Sequence, residues 1–242
     1  MQINSFPLDE STVTTFARLA RLSRAEMMGL YDKADPARFQ EMMDTRPTIA
    51  REPWLGMIGP QYQKGGVAFI GINGGLGDTQ HRSMMSNGPD HLLAQTASSF
   101  RDSLTPSSLY AYFDAAIADV ISWGADSIFF SGTVSQSLKR LDIKLFDVAY
   151  TNVIPFRTSN IAVLSMKRFD AIWDRSCQYY LQPWLRAVAP RLIIWLGTTA
   201  RDKARQYLKN LPASVAVSRQ RNLSTEVRFA ELEKYLKSSN AD

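Results

Sequence analysis

The residues best suited to chemistry cluster where an apolar run opens into a glycine-rich loop, "GVAFIGINGGLGD", residues 66–78. Gly71, Gly74, Gly75 and Gly77 lie in or beside that loop, together with Asn73 and Asp78. Without a Cβ, the backbone N–H groups of Gly74 and Gly75 can approach a phosphate or a base oxygen closely. The Asn73 carbonyl can orient a water but cannot take a proton at neutral pH; the residue is equally suited to a plain turn. Asp78 is the nearest carboxylate and could activate a water, or cap a turn or helix. The phosphate-cradling pattern GxxxxGK[ST] is absent. Gly71, Gly74 and Gly77 follow GxxGxxG rather than the dinucleotide-binding GxGxxG. No strand is expected about 20 residues on to carry the acidic partner of that fold.

Three other segments leave apolar runs with polar chemistry: "YTNVIPFRT", "GTTARD" and "SRQRNLS". Asn152 offers both a hydrogen-bond donor and an acceptor, and suits a strand-end turn equally well. Arg157, Arg219 and Arg221 sit at these exits, where a guanidinium meets either a phosphate or water. His81 and Arg82 could touch a phosphate or lie in solvent. Phe100, Tyr110 and Phe156 could stack on a planar ligand or pack in the core. Trp123, Trp173, Trp184 and Trp195 fall within expected helices or strands and belong to the core.

These residues need a scaffold, and the apolar pattern supplies one. "DESTVTTFARLARLSRAEMMGLYDK" has Val13, Phe16, Leu19, Ala20 and Met27 near helical spacing, and "DPARFQEMMD" reads as a short helix with Pro36 in its first turn. "GVAFIGI", "LFDVAYTNVIPF", "RLIIWLG" and "SVAVS" each hold a short strand. Between and after them lie five helical stretches. "SSLYAYFDAAIADVISWG" has Ser107 or Ser108 as cap and Gly124 as stop, and "TVSQSLKRL" is shorter. "FDAIWDRSCQYYLQPWLRAVAP" is kinked near Pro183, and "TTARDKARQYLKN" follows. "STEVRFAELEKYLKS" closes the chain as a helix capped by Ser224 or Thr225. Strands alternating with helices predict an α/β fold with a mostly parallel four-stranded sheet covered on both faces. Ligands of such sheets bind outside the carboxyl ends of the strands, so the four exits should line one crevice.

Composition narrows the classes. The 242 residues are 45% hydrophobic and 21% charged, which suits a globular chain with a sizeable core. No apolar run approaches the roughly 20 residues of a membrane span. The segment "MQINSFPLDESTVTTF" lacks the basic and apolar regions of a signal peptide, so a cytoplasmic protein is expected. A single cysteine, Cys177, excludes an internal disulfide and a four-cysteine iron–sulfur cluster; with only His81 and His91, a His/Cys metal site is not expected. Charge is uneven. Residues 1–138 hold 10 Lys+Arg against 14 Asp+Glu, and residues 139–242 hold 18 against 9. The basic part suits a polyanion such as nucleic acid, or simply a solvated face.

The ordered set "GINGG", "PSSLY", "YTNVIPF", "PRLIIWLGTTA" and "SRQRNLS" resembles the uracil-DNA glycosylase superfamily over roughly Gly66 to Leu236. "GINGG" is most similar to the G-x-N-P-G form of its strand-exit motif, with Gly74 in place of the proline. "RQRN" stands near the family's late His-Pro-Ser or Asn-Pro-Ser loop, which is missing. The resemblance implies a three-layer α/β/α domain over 61–242, with residues 1–60 as an N-terminal helical extension. It implies a monofunctional, cofactor-free and metal-free hydrolase that extrudes uracil or a modified pyrimidine from single- or double-stranded DNA and acts as a monomer. Asn73 would hold the attacking water, with Asp78 as the alternative. Gly71, Gly74, Gly75, Asn152 and an aromatic, Phe100 or Phe156, would bind the base. Arg157, Arg219, Arg221, Asn222 and Leu223 would contact DNA, with Leu223 as a wedge or a helix staple. Two other readings fit the same residues: a non-catalytic binder of modified DNA or a nucleobase, and an enzyme acting on free nucleotides or nucleosides.

Overall fold

The computed structural model describes residues 6–22, 54–72, 99–100, 102–103, 105–122, 132–155, 170–220 and 222–239. The run "VAFIG" forms strand β2, Val67–Gly71, buried at every residue, as expected of a strand covered on both faces. Around it lie β1 (Met57–Ile58), β3 (Val148–Asn152), β4 (Leu192–Leu196) and β5 (Ala213–Val217) in the spatial order β1-β3-β2-β4-β5. Four strands are parallel; β1 pairs antiparallel with β3, Met57 opposite Tyr150. The sheet is therefore five-stranded rather than four-stranded.

The extra strand lies in the segment expected to be a helical extension. Two residues are too few to show a strand period, and tertiary contacts set the conformation. Trp184 Nε1 donates to the Leu55 carbonyl at 2.9 Å, and the Tyr180 hydroxyl donates to the Trp54 carbonyl at 2.6 Å. Leu55 N–H donates to the Tyr112 hydroxyl at 3.0 Å, and the Tyr62 hydroxyl donates to the Val188 carbonyl at 3.1 Å. Gly56 has φ +88°, and a Cβ there would lie 2.5 Å from the Tyr150 carbonyl oxygen, so only glycine lets this strap reach the edge of β3.

Helix α1 spans Glu10–Arg21 and ends before Met27, which lies outside the described residues, as does the helix expected around Pro36. Its cap is Asp9, which accepts from Thr12 N–H at 2.7 Å. Phe16 packs edge-on against Phe113 of α2, Pro106–Ser122. Helix α2 starts earlier than the Ser107/Ser108 expectation. Thr105 and Ser108 cap each other reciprocally: Ser108 N–H donates to Thr105 Oγ1 at 3.2 Å, and Thr105 N–H to Ser108 Oγ at 3.1 Å. Pro106 then takes the first helical position, where its missing N–H costs nothing. Helix α3 covers Thr133–Leu141, the expected segment.

The kink expected near Pro183 is a one-turn π segment, Cys177–Leu181, between α4 (Asp170–Ser176) and α5 (Gln182–Val188). Gln182 N–H bonds back to the Cys177 carbonyl, five residues earlier, and Pro183 has no N–H to restore the four-residue spacing. Helix α6 spans Thr198–Tyr207 and α7 spans Thr225–Ser239. Ser224 caps α7, accepting from Val227 N–H at 3.4 Å.

Side chains alternate between the two faces of the sheet. Thr151 meets the Tyr180 hydroxyl at 2.6 Å and Ser214 meets Arg205 of α6 at 3.0 Å, so the π segment and α6 flank one face. Tyr150 and Asn152 point to the other. Helix α7 is joined to the edge strand by Glu231, whose carboxylate accepts from Ala216 N–H at 2.8 Å and from Arg201 Nη1 at 2.5 and 2.7 Å. Partial burial pushes the Glu231 carboxyl up, but hydrogen bonds from Arg201 and Ala216 outweigh it and hold the group below its ordinary 4.5. A depressed carboxyl adds stability above its unfolded pKa and loses it as pH falls through the folded one. Glu231→Gln should therefore lower the melting temperature at pH 7, and the gap to wild type should close below pH 4.5; a gap unchanged at pH 3 in thermal denaturation would contradict this assignment.

Candidate functional site

The chain leaves β2 toward β3 on one side and leaves β4 toward β5 on the other. The order of connections thus reverses between the exits of β2 and β4, the place where open α/β sheets open a crevice. Gly71 and Ile72 leave β2, Asn152 leaves β3, Gly197 leaves β4 and Ser218 leaves β5. The exits of β2 and β3 stay paired beyond the strands: Val153 N–H donates to the Gly71 carbonyl at 2.9 Å and Ile154 N–H to the Ile72 carbonyl at 2.8 Å.

Gly71 and Asn152 are register partners and face the same side. A Cβ on Gly71 would lie 2.4 Å from Asn152 Oδ1 and 3.3 Å from the Tyr150 hydroxyl. The amide of Asn152 thus occupies the space a side chain at 71 would fill. Asn152 is only 2% exposed. A buried amide is costly unless bonded, and the Tyr150 hydroxyl donates to its Oδ1 at 3.2 Å. Tyr150 and Asn152 are two apart on one strand, so strand geometry places both side chains on one face. The Tyr150 ring lies 5.1 Å from that of Trp54, tilted by 60°.

Burial pushes the Tyr150 phenol up to about 12, with the positive charge of Arg219 offsetting part of that shift. The hydroxyl therefore keeps its proton, and its role as a donor, across the neutral range. Strands β3 and β5 are three spacings apart, about 14 Å. Arg219 lies exposed two residues past β5, at the same end of the sheet. The loop from β5 to α7 is pinched at its base. Ser218 N–H donates to the Arg228 carbonyl at 3.0 Å, Arg228 Nε donates to the Ser218 carbonyl at 3.2 Å, and Arg228 Nη2 donates to Thr133 Oγ1 at 2.9 Å.

The structure thus brings Gly71, Asn152 and Arg219 to one end of the sheet. Asn222 is exposed and Leu223 half-buried in the turn before α7, where Leu223 N–H donates to the Gln220 carbonyl at 3.4 Å. Phe100 is fully buried in the main core, so it is a packing ring and not a ring with a face open to a ligand. Tyr110 is spent on the Phe6 carbonyl, to which its hydroxyl donates at 2.8 Å. Trp173, Trp184 and Trp195 are fully buried, as expected. Asn73, Gly74, Gly75, Asp78, His81, Arg82, Trp123, Phe156, Arg157 and Arg221 lie outside the described residues. Tyr150 and Trp54 are additions. The period of two in "VAYTN" was the signal for Tyr150; nothing local marks Trp54.

Among the described residues, no three His, Cys, Asp or Glu side chains group to hold a metal ion. Burial, helped by Asp174, pushes the Cys177 thiol up to about 12, leaving a neutral core side chain. No described helix is long and apolar enough to cross a membrane. A groove of about 580 Å³ between α3 and α7, lined by Arg140, Glu226, Glu233, Lys234 and Lys237, carries mixed charge and includes none of the strand-exit residues. A search of known protein families and of curated proteins finds no match to this chain.

Gly71→Ala should destabilise the protein by about 1–3 kcal/mol, the cost of overpacking a filled site. Asn152→Ala should cost a similar amount, about 1–3 kcal/mol, because a buried hydrogen bond is lost. Together they should cost clearly less than the sum, since Asn152→Ala vacates the space the new methyl needs. Strict additivity in urea denaturation would show that the two side chains do not compete for that space.

Proposed function

We propose that this chain is a DNA glycosylase that hydrolyses the N-glycosidic bond of uracil or a modified pyrimidine. The observation that carries the reading is the Asn152 amide, buried and oriented by Tyr150, beside the exit from which "INGGLGD" departs. An amide offers the donor–acceptor pair that a pyrimidine edge requires. The motif resemblance supplies the reaction.

In that reaction the C1′–N1 bond breaks and its electron pair stays on the base. Water adds at C1′, and its proton ultimately neutralises the base. Asn73 would place the water beneath C1′ through its carbonyl, a positional role worth much of the barrier when geometry is held. Backbone N–H groups at Gly74 and Gly75 would meet negative charge on a base oxygen. Asp78 is the alternative activator of the water. Phe156 would stack on the base. Arg219, with Arg157, Arg221 and Asn222, would meet phosphates, and Leu223 would fill the space the base leaves. The reading includes a three-layer α/β/α domain acting as a cytoplasmic monomer on single- or double-stranded DNA, without metal or cofactor.

A second reading has its own support. Asn152 is covered in this structure, Gly74 replaces a stiffening proline, and the late His-Pro-Ser is absent. These favour a protein that binds modified DNA or a nucleobase without cleaving it.

Oligonucleotides carrying a panel of normal and modified pyrimidines separate the two. The glycosylase reading expects base release and an abasic site in the presence of a chelator, with release abolished in Asn73→Ala and binding largely retained. Salt-sensitive binding with no product over long incubation selects the second reading; neither binding nor release rejects both.

A further inference from the structure

At the end of the sheet opposite the crevice, two turns enter neighbouring parallel strands. Residues 189–191 join α5 to β4, and residues 208–212 join α6 to β5. The two turns are shaped alike. Each has one residue in the left-handed region, Ala189 at φ +47° and Asn210 at φ +58°, and a proline before the strand, Pro190 and Pro212. Proline fixes its own φ and restricts the residue before it, so both turns are stiff. The first is also fastened: Ala189 N–H donates to the Leu185 carbonyl at 2.8 Å, and Gly65 N–H donates to the Ala189 carbonyl at 2.7 Å.

Between the turns lies a cleft of about 270 Å³. Leu185, Leu208 and Leu211 give it apolar walls, and Arg186 and Lys209 line it, one from each side. Both cations are exposed, and neither has a hydrogen-bond or ion-pair partner among the described residues. No carboxylate among the described residues lines the cleft. The groove between α3 and α7 differs in this respect, because there Glu233 answers Arg140. Helices α5 and α6 both end at the cleft. Two full positive charges against about half a negative charge from each helix end leave roughly one net positive charge.

We propose that this cleft binds a small apolar monocarboxylate, with its carboxylate held by Arg186 and Lys209 and its aliphatic body against Leu185, Leu208 and Leu211. A guanidinium fork matches a planar carboxylate in two parallel bonds. A phosphate dianion would bring more charge than the cleft offsets, and a neutral ligand would leave both cations unanswered. The volume is at the low end of the ~300–1,000 Å³ of ligand pockets, which suits a body the size of one amino-acid residue. No strand-exit residue lines the cleft, and strands of five residues, about 16 Å, separate it from the crevice. It is therefore independent of the glycosylase reading.

NMR titration of the full chain tests this with N-acetyl-leucine, N-acetyl-leucinamide, inorganic phosphate and an N-acetylated peptide ending in leucine. N-acetyl-leucine should bind and shift the backbone signals of residues 185–190 and 208–212. The uncharged amide should bind about tenfold more weakly or worse, the loss of a charge-assisted hydrogen bond. Arg186→Gln and Lys209→Gln should each weaken N-acetyl-leucine about threefold or more. Lys237→Gln, the same charge change on α7, should leave its affinity unaltered. Circular dichroism and thermal melting check that the variants fold. Tighter binding of the peptide makes a protein C-terminus the natural source, and equal or weaker binding makes it a free acid; both support the site. No binding of N-acetyl-leucine, equal binding of the amide, displacement by equimolar phosphate, or unchanged affinity in Arg186→Gln and Lys209→Gln each overturns the proposal.

Discussion

Gly71 and Asn152 are paired across the ladder, and the missing side chain of one makes room for the amide of the other. Most of the candidate site depends on this steric constraint. It fixes where Oδ1 lies, and hence which hydroxyl can reach it. Because side chains alternate along a strand, a one-residue slip of β3 against β2 would bring Ile70 beside Asn152 and break the fit. The ladder continues past both strands, so the two chains leave the sheet together. A loop that starts at Ile72 therefore starts beside Asn152.

The last three residues of β3 are restrained from both faces. On one face the Tyr150 hydroxyl holds the amide of Asn152. On the other, Thr151 Oγ1 meets the Tyr180 hydroxyl, which also donates to the Trp54 carbonyl. Buried hydrogen bonds of this kind add little net stability each, but breaking one leaves a desolvated partner, so they select a single arrangement. The strap that carries Trp54 is fastened by rings from α2, the π segment and α5, and it forms the edge strand against Tyr150. The π segment itself follows from Pro183. A residue that cannot donate to the helix ladder thus helps to aim Tyr180 at the end of β3.

The sequence made much of this frame legible. Four apolar runs bounded by glycine, proline or polar residues are the four parallel strands, and the helices between them lie close to the expected segments. Burial on both faces produces such runs, so the signal was strong. The failures have local causes. Strand β1 is two residues long and owes its conformation to indole and phenol groups more than 50 residues away, which no local pattern reports. The cap of α2 is Thr105, because Pro106 makes a better first helical residue than an interior one. Phe100 looked like a stacking ring since aromatic side chains serve both uses, and only packing distinguishes them. Asn152 was legible as a strand-exit amide. Its partner was missed, although Tyr150 is two residues before it and must share its face.

Charge is the feature where a count and a position differ most. Residues 139–242 carry twice as many basic as acidic residues, yet several of those cations are tied into the fold. Arg140 pairs with Glu233 and lies over the Phe229 ring, Arg201 pairs with Glu231 and Asp202, and Lys203 pairs with Asp170. Arg228 closes the neck of the β5–α7 loop. Such groups position elements, and the charges of Arg140, Arg201 and Lys203 are met by carboxylates where they are placed. Arg219 is exposed just past β5, and its positive charge offsets part of the upward push that burial gives the Tyr150 phenol. The neck set by Arg228 holds the backbone next to it, since Ser218 is bonded through both its N–H and its carbonyl. Which cations are left for an anionic ligand is thus decided by position, which no count of basic residues reports.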